Sequence, residues 1–525
     1  MIRLLPMLVA LFVPALAHAA LNLTVRLDPA ATTAPISGRL VVALARDDSK
    51  ISSKTAMTEA PFWDDWQPVF GTNVTNLAPG AAITLDDTAD DNLVPISQLK
   101  PGRYRAAAWL IAARTTSSWK TEPGNIFSRE VRLTIPDPKA APAAPPDPVL
   151  AELLLTEKTS ARPWPQAREG VALVELPSKL LAEFHHRPVT LRAGIVLPRD
   201  YDPKKTYAAV YEVPGFGGDH RAALTTAARR SLTPATNPAA ARLEREVFWI
   251  VLDPESPNGH HLFADSDNNG PVGQALVSEL IPAIEARFPA LRAAPSSRLL
   301  RGHSSGGWSV LWLALNHPET FGAAFSSSPD PVDFRRFQTV DIYAATNMYS
   351  DDAQPPAPTP SFRKGDKPVM TVRQENWGEM VLGPNQTSAQ QWHSWQAVFG
   401  PRIGDRGWGN GHPAALYDAK SGVIDHAVAE RYRRYDLADL LRTSPEKYLP
   451  IWRDRIRLVV GDLDSFYLNE AVALLGAELA SRGVKNSITI VPGADHGSIY
   501  ASPAIARFPA DMLDYIDRAA PAPGR

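Results

Sequence analysis

From Leu21 to Ile135 the apolar residues fall in short runs that alternate with polar ones, as in Leu21-Asn-Leu-Thr-Val-Arg-Leu27, Gly38-Arg-Leu-Val-Val-Ala-Leu44 and Arg129-Glu-Val-Arg-Leu-Thr-Ile135. A period of two turns one side of each strand to a core and the other to water. Turn residues such as Lys100-Pro101-Gly102 separate the runs. The pattern predicts a small all-β, immunoglobulin-like sandwich over residues 20–135 that carries no catalytic cluster. Pro136 to Pro148 reads Pro-Asp-Pro-Lys-Ala-Ala-Pro-Ala-Ala-Pro-Pro-Asp-Pro. Such a segment cannot form ladders and prefers polyproline II, so 136–148 is expected to be a semi-rigid linker at a domain boundary.

Over 149–525 the rhythm changes to buried strands alternating with helices. Strands are expected at Val189–Leu197, Tyr207–Val213, Val247–Leu252 and Ser297–Leu300, and helices at 273–286 and 306–315. From Arg455 to Ile516 the order strand, helix, strand, helix returns. This alternation implies an α/β domain with a mostly parallel sheet and helices on both faces. Between about 329 and 449 the rhythm fails, and the segment is rich in Pro, Gly and Trp. A structureless loop of that length is improbable, so it reads as an insertion or lid over the carboxyl ends of the strands. Its tryptophans, Trp377, Trp392, Trp395 and Trp408, form either a small private core or the wall of a substrate pocket.

The amino terminus adds a destination. Arg3 precedes an apolar stretch from Leu4 to Ala17, broken by Pro6 and Pro14, and Ala17-His18-Ala19 follows. This is the layout of a secretory signal peptide over residues 1–19 with an A-x-A cleavage site, and the run falls short of the ~20 residues that span a bilayer. The expected protein is periplasmic or secreted, with no membrane span. The chain has 525 residues, enough for two or three domains. With 54 Lys+Arg against 56 Asp+Glu the formal charge is −2, and neither sign forms a long run, which argues against nucleic acid as a partner. Cysteine is absent, so thiol nucleophiles and Cys-ligated metal sites are excluded.

Any nucleophile must therefore be another group, and Gly302-His303-Ser304-Ser305-Gly306 supplies one. This G-x-S-x-G follows a strand and opens a helix, the setting of a strained nucleophile elbow in which only small residues fit beside the serine. A serine hydroxyl needs a base, and the base needs an orienting group. In such a fold the acid follows a later strand and the histidine the next one. Arg455–Val460 is a strand followed by Gly461-Asp462-Leu463-Asp464, and Ser487–Val491 is a strand followed by Gly493-Ala494-Asp495-His496-Gly497. His496 is the expected base. Asp464 is preferred to Asp462 because three residues past the glycine give the loop room to turn, and Asp495 adjoins the ring too closely to fold back on it. His303 is too near the serine, His317 sits at a helix end, and His393, His412 and His426 lie in the insertion. The oxyanion needs backbone donors: the N–H of Ser305 is one, and Phe216 in Pro214-Gly-Phe-Gly-Gly218 is the expected second. Asp265-Ser-Asp267-Asn-Asn269-Gly270 copies half of a calcium loop, but Leu276 stands where the bidentate Glu belongs. It reads better as a turn capping the helix at Gly273.

Together, Pro214-Gly-Phe-Gly-Gly218, Gly302-His-Ser-Ser-Gly306, Gly461-x-x-Asp464 and Asp495-His496-Gly497 resemble the putative-esterase branch of the α/β-hydrolases, the group of esterase D and enterochelin esterase-like proteins, over roughly 176–516. The resemblance implies an α/β-hydrolase fold, Ser304 as nucleophile with Asp464 and His496 as partners, and ester hydrolysis. An exported serine carboxylic ester hydrolase is the expectation, acting on a small-molecule or glycan-linked ester with no metal and no organic cofactor. Two alternatives stand beside it: an acyltransferase using the same acyl-enzyme, and a non-catalytic glycan-binding protein with a vestigial triad.

Overall fold

The computed structural model describes residues 21–49, 65–137, 149–160, 169–232, 236–404 and 411–519. The expected signal peptide (1–19) and most of the proline-rich linker (138–148) lie outside these residues, as does Trp408. The chain divides into two compact units, Met1–Ala112 with Gly124–Thr159, and Ala113–Pro123 with Ser160–Arg525.

The first unit is built of strands β1 (Leu21–Leu27), β2 (Ile36–Arg46), β3 (Val69–Leu77), β4 (Ala82–Leu85), β5 (Asp90–Asp91), β6 (Gly102–Ile111), β7 (Ile126–Ser128), β8 (Val131–Ile135) and β9 (Val149–Lys158). Period-two alternation is realised in β1, where Leu21, Leu23, Val25 and Leu27 are buried and the residues between them are not. The strands trace one hydrogen-bonded path, β4-β1-β9-β7-β6-β2-β3-β5, with β8 on the side of β6, where an immunoglobulin sandwich would have two separate sheets. The expected boundaries also shift. β9, assigned from the sequence to the second domain, pairs in parallel with β1 from Leu21↔Val149 to Leu27↔Leu155, so this unit closes at Thr159 and the linker precedes its last strand. Backbone ladder bonds and the burial of Leu153 and Leu155 beside Leu23 and Val25 hold that strand more strongly than a preceding spacer separates it.

The second unit carries an eight-stranded sheet. Its strands are β10 (Val171–Pro177), β11 (Thr190–Val196), β12 (Ala208–Val213), β13 (Val247–Leu252), then, beyond a short hairpin of β14 (Glu255–Ser256) and β15 (Gly259–His260), β16 (Arg298–His303), β17 (Ala323–Ser327), β22 (Ile456–Gly461) and β23 (Ile488–Val491). The order is β10-β11-β13-β12-β16-β17-β22-β23. β10, β11 and β13 pair antiparallel, and every pair from β13 onward is parallel. Neighbouring residues of one strand enter opposite cores: Val210, Trp249 and Leu299 one, Tyr211, Ile250 and Leu300 the other. That is why these strands read as unbroken apolar runs; all six residues of β13 are buried.

Helices cover both faces. They are α1 (Lys179–His185), α2 (Ala222–Leu232), α3 (Pro238–Glu246), α4 (Val272–Ala275), α5 (Ile281–Arg287), α6 (Ser305–Asn316), and, after the insertion, α11 (Pro445–Arg455), α12 (Leu468–Ser481), α13 (Pro503–Ala506) and α14 (Phe508–Ala519). The single helix expected over 273–286 is interrupted by a π segment at Leu276–Leu280. Pro282 has no N–H to return to Ser278, which breaks the regular ladder there.

The insertion between β17 and β22 is folded. It holds the hairpin β18 (Pro360–Lys364) and β19 (Lys367–Thr371), α7 (Val372–Leu382), α8 (Gln391–Phe399), strands β20 (Arg402–Gly404) and β21 (Gly411–Pro413), and α9 (His426–Tyr432) and α10 (Leu437–Thr443). A capping box starts α7, with Gln374 N–H donating to Thr371 Oγ1 at 3.3 Å and Thr371 N–H to Gln374 Oε1 at 3.0 Å. Trp392 and Trp395 are buried in the same core as Leu300 and Trp308, so they do not form a private cluster. Trp377 is half-buried under the Arg373 guanidinium, 4.0 Å from its ring centre. Among the described residues no helix is long and apolar enough to cross a membrane.

Candidate active site

In a doubly wound sheet the carboxyl ends of the central strands are where loops converge, and β16 is central. At its end Ser304 takes φ 57° and ψ −127°, a left-handed-side conformation that costs a non-glycine residue about 1–3 kcal/mol. The flanking glycines are required by space. A Cβ on Gly302 would lie 2.1 Å from Gly306 O, and one on Gly306 would lie 2.0 Å from Val213 O. The turn is pinned by Ser304 N–H donating to Ser327 O at 3.0 Å, while Ser304 O accepts from Trp308 N–H at 3.1 Å and Asp330 N–H at 3.2 Å. The Ser304 hydroxyl itself is bonded to no described residue.

Asp464 follows β22 and His496 follows β23. His496 Nδ1 lies 2.8 Å from Asp464 Oδ2, with the carboxylate side chain fully buried and the imidazole 15% exposed. A carboxylate can only accept, so Nδ1 carries the proton and Nε2 is left with its lone pair. Asp464 Oδ1 accepts from Phe466 N–H at 3.0 Å. Asp462 instead accepts from Gly493 N–H at 2.7 Å, joining the two loops without touching the ring, and Asp495 caps its own turn through Gly497 and Ser498 N–H. The imidazole is held between Phe466, edge-on at 4.9 Å, and His303 at 4.5 Å. His303 points its Nδ1 at Ser327 Oγ, 3.0 Å away. Burial, with His496 beside it, pulls His303 down to about 3, so it is neutral and adds no cation next to the base.

The loop Pro214–Gly218 lies against the elbow: a Cβ on Gly215 would sit 3.2 Å from His303 O and 3.4 Å from Ser304 Cβ. The backbone N–H groups of Phe216 and Ser305 have no partner among the described residues, and Ser305 opens α6, whose amino end carries partial positive charge. His260 holds this loop. It accepts from Leu262 N–H on Nδ1 at 3.2 Å, so Nε2 donates to Pro214 O at 2.9 Å; burial lowers it to about 4.

The structure thus brings Asp464 and His496 into contact and sets Ser305 and the Phe216 loop against Ser304. His317, His393, His412 and His426 do not join them: His393, for one, is buried beside Glu379 with Nδ1 accepting from Ser388 N–H at 3.2 Å. The calcium-like loop is a cap, since Asp265 Oδ1 accepts from Gly273 N–H at 2.7 Å and Gln274 N–H at 3.1 Å. Three further neighbours complete the surroundings, of which only Trp395 stood out in the sequence. Arg363, from the β18 hairpin, donates to Asp464 O and Asp462 O, each at 2.9 Å. Asp330, two residues past Ser328, and Trp395 of α8 meet behind the elbow at 2.6 Å.

The chain was compared with known proteins. The Esterase family, described as "Putative esterase", matches residues 188–477, more than half of the chain, including Ser304 and Asp464 but ending before His496. No curated protein matches. Similar solved structures include a ferulic acid esterase at 12% identity, covering 66% of this chain and 98% of that one with a TM-score of 0.38. The fluorophosphonate-binding serine hydrolase FphF of Staphylococcus aureus is 14% identical, with coverage of 65% and 98% and a TM-score of 0.36. An S-formylglutathione hydrolase from Agrobacterium tumefaciens is 13% identical, with coverage of 68% and 98% and a TM-score of 0.36. On the extent of the family match, this chain belongs to the putative-esterase family of α/β-hydrolase type and is a carboxylic ester hydrolase.

Proposed function

We propose that ester cleavage proceeds through an acyl-enzyme on Ser304, with His496 as the base, Asp464 as its orienting acid, and the N–H groups of Phe216 and Ser305 as the oxyanion hole. One observation carries this reading: an imidazole fixed by a buried carboxylate at 2.8 Å, at the strand ends where a strained serine projects. Ser304 Oγ attacks the ester carbonyl carbon as its proton passes to His496 Nε2. The carbonyl oxygen becomes an oxyanion received by the two N–H groups, each contributing about 3 kcal/mol to the transition state. His496 then gives the proton to the departing alcohol, leaving Ser304 acylated. Water repeats the sequence, losing its proton to His496 and releasing the acid, and Ser304 recovers its proton.

The substrate is a small-molecule ester, and the signal-like residues 1–19 support an exported enzyme. The domain division enters this reading as a β unit ahead of a catalytic unit that includes the lid-like insertion. The reading is tested with a panel of aliphatic and aromatic esters assayed on the wild type and on Ser304→Ala. Turnover by the wild type alone is expected, and equal turnover by both proteins contradicts it.

A further inference from the structure

The mechanism above leaves one buried carboxyl beside the nucleophile unused. Asp330 is 2% exposed, lies between Pro329 and Pro331 just past the end of β17, and touches the site from three directions. Its main-chain N–H donates to Ser304 O at 3.2 Å. Its Oδ2 accepts from the Trp395 indole N–H at 2.6 Å. Its carboxyl also faces the hydroxyl of Ser305, whose proton is donated to Gln391 Oε1 at 3.3 Å. Gln391 and Trp395 are four residues apart on α8 and therefore share a face. That face of the insertion helix meets the first turn of α6 through the Ser305–Gln391 bond and through this acid.

We propose that Asp330 is a positioning residue: its carboxyl, anchored on the Trp395 indole, holds in place the main-chain N–H that donates to Ser304 O, and so fixes the Ser304–Ser305 peptide. The proposal rests on the reading that places the Ser305 N–H in the oxyanion hole. A donor of that kind works only when it is already aimed at the place where charge develops. On its carbonyl side the peptide is held by Trp308 N–H and by the main-chain N–H of Asp330, while its Ser305 N–H, at the start of the helix, has no intrahelical acceptor. The carboxyl accepts from the Trp395 indole most strongly when ionised, since protonation turns one of its oxygens into a donor. Among the described residues no lysine or arginine pairs with it. The charged groups that act on it are His496, which lowers it, and Asp464, which raises it, while the Trp395 bond and the nearby Ser305 hydroxyl also lower it. Burial outweighs these and pushes it up to about 6. The strut therefore weakens on the acid side of neutrality.

The test measures kcat and KM for one activated ester between pH 5 and 8, on the wild type, Asp330→Ala, Asp330→Asn and Trp395→Phe. Asp330→Ala is expected to lower kcat at pH 7.5 by about 10- to 100-fold with KM changed less than about threefold, because the loss falls on transition-state rather than ground-state contacts. Asp330→Asn, which keeps the shape and one acceptor, should fall between it and the wild type. Trp395→Phe removes a bond that lowers the acid, so the acid limb of kcat should move to higher pH. A packing role predicts a lower melting temperature with kcat and the limb unchanged. If folded Asp330→Ala keeps wild-type kcat, the proposal is overturned. If Asp330→Ala does not fold, Trp395→Phe decides, and an unmoved limb overturns it. Fluorophosphonate labelling of the wild type separates the two levels: an unlabelled wild type removes the serine mechanism, whereas a labelled wild type with unaffected variants removes only the role of Asp330.

Discussion

The second unit contains two histidine–aspartate pairs of the same length. His496 Nδ1 is 2.8 Å from Asp464 Oδ2, and His220 Nδ1 is 2.8 Å from Asp253 Oδ2. They differ in their surroundings. The His496 side chain is 15% exposed and that of His220 is 3% exposed. His496 is flanked by His303, the neighbour of a serine in a strained turn, whereas His220 sits where its carbonyl would be 2.3 Å from a Cβ on Gly194, packed between a loop and the sheet. The carboxylate of this second pair is also held differently. Burial raises Asp253, but the neighbouring His220 and the N–H of Glu255 outweigh it and hold the carboxyl below its usual range. On the mechanism proposed above, the pair alone is not a catalytic device: an accessible imidazole edge and a nucleophile held in a conformation it would not choose make the difference.

The largest expected effects break the comparison at the serine and the exposed pair. Ser304→Ala and His496→Ala should each lower kcat by about 10⁴-fold or more, measured against a background of protein-free hydrolysis. Asp464→Asn, which leaves the ring in place with the wrong proton arrangement, should cost about 10²- to 10⁴-fold. The matching changes in the buried pair should act on stability. His220→Gln and Asp253→Asn are expected to lose about 2–4 kcal/mol in denaturant unfolding with kcat within about threefold of wild type. A tenfold or larger fall in kcat for either, with the fold retained, would show that the second pair serves the reaction.

A pH series sharpens the contrast further. Because Asp253 is depressed in the folded protein, its contribution is present above the unfolded carboxyl value and is lost as pH falls through the folded one. Asp253→Asn should therefore flatten the acid side of a plot of melting temperature against pH. The insertion predicts the opposite slope. Glu375, buried and bonded to the Trp392 indole at 2.6 Å, is pushed up to about 7 by burial. A raised acid contributes stability below its unfolded value, and loses it as pH rises through the folded one. Glu375→Gln should be close to neutral at pH 5 and, as the smallest of these effects, stabilise by about 1–3 kcal/mol at pH 8. Melting curves at the two pH values measure it, and equal shifts at both contradict the assignment.

Much of the candidate site was legible in the sequence because its proposed members stand in loops immediately after strands, where chain order and small residues leave a local trace. Ser304 is marked by glycines that space demands, and Asp464 and His496 by the strands before them. The supporting residues left no such trace. His260 reaches Pro214 across 46 positions and Arg363 reaches Asp464 across 101, and each is one polar residue in a segment without periodicity. Asp330 is visible only once α8 is packed against α6. The fold shows the same limit. Alternation identifies β1 and continuous burial identifies β13, both local properties. The parallel pairing of β9 with β1 joins residues more than a hundred positions apart, and a run of prolines ahead of β9 suggested a boundary in the wrong place.

Which side chain becomes covalently modified tests the serine mechanism most directly. Wild-type protein, His220→Gln and Ser304→Ala would be treated with a fluorophosphonate, digested and mapped by mass spectrometry. One adduct per chain on the peptide containing Ser304, equal in the first two proteins and absent from the third, is the predicted result. An adduct at another residue, or its persistence in Ser304→Ala, would contradict the claim that the strained serine beside His496 is the nucleophile.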